Sequence, residues 1–112
     1  ILIDPKSSNT GEEILVGAST KKIISIKRGL TGEFKNFGES IGFMRLNRKS
    51  MMKFFEVIEE DILLNSKTIG YEDLLDKLVK FIDIGFISIK EKKWIEIDFP
   101  KDYEDAKKLI IN

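Results

Sequence analysis

The stretch Trp94-Ile95-Glu96-Ile97-Asp98-Phe99-Pro100-Lys101-Asp102-Tyr103-Glu104-Asp105-Ala106 changes character in its middle. Ile95 and Ile97 alternate with Glu96 and Asp98, the two-residue period of a strand, which puts both carboxylates on one face. Proline at the first position of a helix leaves no amide unpaired, so Pro100 opens a helix. Asp102, Glu104 and Asp105 load its first turns and Lys107 and Lys108 its end, the favourable order for the helix dipole. Asp98 then falls where strand meets helix, the place at which α/β folds present ligand-binding groups. Two readings of it stand side by side. It is a ligand carboxylate with Glu96 beside it, or it caps the helix while Glu96 lies on a solvated face.

Upstream, Gly85–Lys90 reads as a strand joined to Trp94–Ile97 through the charged turn Glu91-Lys92-Lys93. A helix is expected from Tyr71 to Ile82, with Leu74, Leu75, Leu78, Val79 and Ile82 in register. An earlier helix, capped by Asn47 or Ser50, carries Met51, Phe54, Phe55, Ile58, Ile62 and Leu63 as one apolar stripe. Ser40–Leu46 reads as a strand with Gly42 in its interior, preceded by a glycine-bearing loop with Phe34 and Phe37. Glu13–Ala18 and Lys22–Lys27 form a hairpin about Ser19-Thr20-Lys21, with Ile24 and Ile26 opposed to Ser25 and Lys27. Ile1–Asp4 reads as the end of a strand broken by Pro5 and the polar run from Lys6 to Gly11. Strands and helices mix throughout, so the expected fold is one α/β unit over residues 1–112, with antiparallel hairpins and three helices.

Composition narrows the chemistry. The 112 residues contain no cysteine and no histidine, which removes thiolate nucleophiles, zinc–thiolate sites and the commonest general base. Any metal held by side chains must take oxygen ligands, as Mg²⁺ does. The 19 basic and 19 acidic side chains cancel, leaving no global field for nucleic acid or an anionic membrane. A small basic cluster, Lys21, Lys22, Lys27 and Arg28, lacks the interleaved aromatics of a nucleic-acid surface. The front half, through Ser50, is net basic and the remainder net acidic. That split is either two differently decorated solvent faces or a cleft between a basic front and a carboxylate-bearing back. No basic leader precedes an apolar run and no apolar stretch is long enough to cross a bilayer, so a cytoplasmic location is the default expectation. The opening apolar run, Ile1-Leu2-Ile3, suggests a piece of a longer protein.

The wording of Trp94–Ala106 resembles the C-terminal signature of the nucleotidyltransferases that make NDP-sugars and CDP-choline-like compounds. That signature, a W-x-E-x-D strand and an x-P-x-D-x-x-x-A helix start, is met by Trp94, Glu96, Asp98, Pro100, Asp102 and Ala106. Gly38-Glu39-Ser40-Ile41-Gly42-Phe43 is similar to the family's G-E-x-I-G-F, and Tyr71-Glu72-Asp73-Leu74-Leu75 to its Y-E-D-x-L helix start. The hairpin over Glu13–Lys27 looks like the one after the family's central catalytic strand, so the likeness spans about Ile1 to Ile110.

The resemblance implies a Rossmann-like mixed sheet and the transfer of a nucleotidyl group from an NTP, CTP by its look, to a phosphate monoester. Asp98 matches the second metal-binding aspartate, holding Mg²⁺ at the α-phosphate, and Glu96 belongs to the same site. Glu39 and Gly42 match the lining of the acceptor pocket, and Glu72 and Asp73 lie near it, where a carboxylate could neutralise a cationic acceptor such as phosphocholine. At each position a plainer role competes: Gly42 for packing, Glu72 and Asp73 for the helix N-terminal turn, Trp94 for the core. The family's G-x-G-x-R phosphate loop and first metal-binding aspartate have no counterpart in this chain. The expectation is therefore the C-terminal half of a nucleotidyltransferase domain, inactive alone and open to self-association through an exposed sheet edge. The alternative is a non-catalytic α/β module for protein–protein contacts.

Overall fold

A computed structural model describes every residue except 7–9, 65–68, 92 and 112. The strands are β1 (Leu2–Asp4), β2 (Ile14–Ala18), β3 (Ile23–Arg28), β4 (Asn36–Ser40) and β5 (Ile87–Ser88). The helices are α1 (Arg48–Leu64), α2 (Tyr71–Leu78) and α3 (Pro100–Ile111). The strands form one open sheet in the order β3-β2-β4-β1-β5, antiparallel except for the parallel pair β1 and β5. Among the described residues, the α/β class and the three helices are as expected.

One face of the sheet is covered by α1 and α2. Ile3, Val16, Ala18, Ile23 and Ile26 from the strands meet Phe54, Val57, Leu75 and Leu78 from the helices, with Ile84 closing the cluster. On β2 the other face is buried too: Leu15 is 2% exposed, and Gly17 lies under the Phe34 ring, where a Cβ would come within 2.5 Å of it. Asn47 caps α1, its side-chain oxygen accepting the Ser50 amide at 2.8 Å. α2 covers the sheet's β3 edge: Asp76 accepts from the Ile26 amide and the Ser25 hydroxyl, both at 2.8 Å, and Lys80 donates to the Ile24 carbonyl.

Several boundaries differ from the sequence reading, each for a tertiary reason. A β-bulge at Gly17/Ala18 sets Ser25 against Gly17 and Ile23 against Ala18, leaving Ile24 as the extra residue. Ile23 and Ile26 are therefore the buried pair, and Ile24 turns outward. The fourth strand is Asn36–Ser40, not Ser40–Leu46; Gly42 follows it in a bend at φ +80°, a conformation that ends pairing. The second helix stops at Leu78, although Val79 and Ile82 still pack on the core. Of Gly85–Lys90 only Ile87–Ser88 pairs, and Trp94–Ile97 forms no strand. The outer edge of β5 stays unpaired among the described residues: β5 is only two residues long, and the segment after it is tied instead to Asp4 through the Trp94 side chain. Lys92 of the expected turn and residues 7–9 of the polar run lie outside the described residues. On α1 the inward residues are Phe54, Val57 and Asp61, while Met51, Phe55, Ile62 and Leu63 of the expected stripe are exposed. Among the described residues no helix is long and apolar enough to cross a membrane.

Candidate functional site

The C-terminal end of β4, the bend at Gly42, the first turn of α2 and the stretch before α3 surround an open cavity of about 790 Å³. Its wall includes Glu39, Ser40, Ile41 and Gly42, then Tyr71 and Glu72, then Glu96, Asp98 and Phe99. Glu12, Glu13, Ile14 and Arg28 complete it from the hairpin. Five of the six sequence-predicted site residues, Glu39, Gly42, Glu72, Glu96 and Asp98, thus line one space. Asp73 does not; it serves the first turn of α2, its amide bonded to the Gly70 carbonyl.

The segment carrying Glu96 and Asp98 is held by side chains rather than by a ladder. Trp94 donates its indole N–H to Asp4 Oδ2 at 2.8 Å, tying the segment to the end of β1. Asp4 Oδ1 accepts the Lys6 amide at 2.9 Å, so a single carboxylate fixes both the break after β1 and the start of this segment. At its other end Asp102 Oδ2 accepts the amides of Phe99 at 2.9 Å and Asp98 at 3.2 Å. This is the reaching-back half of a capping box: the third helical residue satisfies the amide before the helix. Asp98 does not cap the helix with its carboxylate; its own amide is instead one of the two that Asp102 holds.

Among the described residues, six carboxylates line the cavity beside a single cation, Arg28, and they differ in what else they do. Glu12 pairs with Arg28 at 2.8 Å. Glu13 accepts from the Thr10 hydroxyl at 2.6 Å and from the amides of Thr10 and Gly11. The bond from Thr10 foremost holds the Glu13 carboxyl below the ordinary glutamate range. Glu39 is half-buried on β4, paired across the ladders with Leu15 and with Asp4. Glu72 folds its carboxylate over Gly70, where a Cβ would approach it to 2.7 Å. Glu96 and Asp98 are exposed, and among the described residues neither carboxylate takes part in a hydrogen bond or ion pair. They are the groups with coordination capacity to spare.

That pair supplies hard oxygen donors of the kind Mg²⁺ takes. Among the described residues no group of three or more carboxylates converges to hold a metal ion. Phe34 and Phe37 stack on each other with centroids 6.0 Å apart, and neither lines the cavity; its aromatic walls are Tyr71 and Phe99. The positioning roles of Asp4 and Asp102 were missed by the sequence reading. Asp102 three residues after Phe99 was a signal that could have found one of them; the link from Asp4 to Trp94 has none.

The architecture defines the class as an α/β protein with an open, mixed five-stranded sheet. Compared with known proteins, the chain matches no family model, no curated sequence and no solved structure.

Proposed function

We propose that this chain is the acceptor-binding and metal-completing half of a nucleotidyltransferase. It would act on an NTP, with CTP favoured, and a phosphate monoester. The observation that carries the reading is the convergence of three separate sequence motifs on one cavity, through Glu39 and Gly42, Glu72, and Glu96 and Asp98. In the reaction an oxygen of the acceptor phosphate attacks the α-phosphorus of the NTP. A new phosphoanhydride bond forms, the α–β bond breaks and pyrophosphate leaves. Such transfer proceeds by positioning and charge neutralisation, which requires neither histidine nor cysteine.

The residues divide that work. Asp98, with Glu96, is the metal-ligating pair. Magnesium bound there would neutralise charge on the reacting phosphate. Glu39 and Glu72 face an acceptor with a cationic part, phosphocholine being the simplest, and Tyr71 and Phe99 offer π faces to the same charge. Asp4 and Asp102 are positioning residues, fixing the two ends of the segment that bears the metal ligands. The exposed apolar side chains of Phe99, which lines the cavity, and of Phe43 and Ile97, which adjoin lining residues in sequence, suit a chain whose nucleotide-binding half packs alongside. They also favour the second reading, a non-catalytic module that docks proteins through the same surface.

Asp98→Ala in the enzyme that carries this segment is the discriminating change. Mg²⁺-dependent pyrophosphate release should fall by about a hundredfold or more, the loss expected when a metal's charge no longer reaches the reacting phosphate. Near-normal turnover would sink the assignment.

A further inference from the structure

Three further hollows, of about 1110, 590 and 370 Å³, share their walls. Asp83 lines all three; Ser50 joins the largest to the smallest, and Gly85 joins the smallest to the third. Together they form one trough from the turn between β2 and β3, past the residues after α2, to the start of α1. None of its lining residues lines the acidic cavity.

The charge of the trough is opposite to that of the cavity. Among the described residues it is lined by six cations, Lys21, Lys22, Arg45, Arg48, Lys49 and Lys53, and by two acids, Glu56 and Asp83. Both acids are already neutralised: Lys22 pairs with Asp83 at 2.8 Å and Lys53 with Glu56 at 2.9 Å. Lys21, Arg45, Arg48 and Lys49 have no carboxylate partner among the described residues. The Ser50 amide is taken by Asn47, so the attraction for an anion rests on these side chains rather than on the helix start. A hollow lined by one sign of charge focuses its field on ions of the other sign. A single phosphate carries about two negative charges, so four uncompensated cations match several linked phosphates rather than one.

The largest hollow also has an apolar wall. Phe81 is 59% exposed and Met52 57%, and Lys53 Nζ lies 4.9 Å from the centroid of the Phe81 ring. An exposed ring and a thioether beside cations suit a planar base whose phosphates reach the charged groups. An acidic peptide would use the cations and leave that wall uncovered.

We propose that the trough binds a nucleoside triphosphate as the free anion. Its base lies on Phe81 and Met52, and its phosphates on Arg48 and Lys49, within the field of Lys21 and Arg45. No metal is required, which separates this site from the acidic cavity, whose carboxylates repel a free nucleotide. The inference holds whether or not that cavity belongs to a nucleotidyltransferase.

Calorimetric titration of the 112-residue chain with ATP, in EDTA and at low ionic strength, should saturate at one site. The backbone amides of Lys49, Phe81 and Asp83 should shift, with those of Gly42 and Glu72 unmoved. Inorganic triphosphate should bind about tenfold more weakly, the share of one stacked base, and Phe81→Ala should bring ATP down to the same level. Arg48→Gln/Lys49→Gln, at two exposed positions, should weaken both ligands about tenfold with unchanged far-ultraviolet circular dichroism. The absence of saturable binding overturns the proposal, as does a double variant that binds ATP like the parent or triphosphate that binds as tightly as ATP. Shifts gathered at Gly42 and Glu72 would place the nucleotide in the acidic cavity and overturn it as well. A single-stranded oligonucleotide that displaces ATP at far lower concentration would overturn the choice of ligand and assign the trough to nucleic acid.

Discussion

Asp4 shows how much one carboxylate can organise. Its two oxygens accept from the Lys6 amide and from the Trp94 indole, joining the first strand to a segment ninety residues away in sequence. Hydrogen bonds to a charged group contribute more than neutral ones, so Asp4→Ala should lower unfolding free energy by about 2 kcal/mol in denaturant titrations. Trp94 is the one tryptophan of the chain, and its fluorescence should move to longer wavelength as the ring is released. Asp4→Asn, which keeps one acceptor oxygen, should retain part of both signals. An Asp4→Ala variant with unchanged stability and emission would mean that the segment bearing Glu96 and Asp98 is held by something else.

At the level of elements, signals confined to a few neighbouring residues were legible and those that depend on distant partners were not. The hairpin of β2 and β3, the cap at Asn47 and the helix beginning at Pro100 all rest on local backbone needs, and all three formed as expected. The cap should be worth about 1 kcal/mol, so Asn47→Ala should lower the thermal midpoint without altering the m-value in urea. The alternation of Trp94–Ile97 was genuine as a pattern, yet a strand needs a neighbour, and the expected one, β5, pairs over only Ile87–Ser88 and leaves its outer edge unused among the described residues. The phase of Ile24 failed for a different reason: the bulge inserts one residue, and every side chain beyond it changes face. On α1 the pattern could not say which of two apolar rows would meet the sheet. Phe54 and Val57 do so, and much of the row that reads most clearly faces outward.

Across the whole molecule, the sheet brings together residues that sequence distance keeps apart. Glu39, Glu72 and Asp98 belong to three motifs, and the cavity collects them because β4 ends beside the start of α2 and the approach to α3. The motifs were legible in the sequence. Their convergence was not, since it depends on strand order β2-β4-β1, in which β4 passes between two earlier strands. The absence of histidine and cysteine is compatible with the proposed transfer, which would require oxygen donors and accurate placement. The most direct test follows the backbone amides of the isotope-labelled chain as Mg²⁺ and phosphocholine are added together. Gly42, Glu72, Glu96 and Asp98 should shift in concert and saturably, with Phe34 and Phe37 unmoved, and Asp98→Asn should abolish the dependence on Mg²⁺. Shifts scattered away from the cavity, or an Asp98→Asn chain that titrates like the parent, would contradict the proposed function.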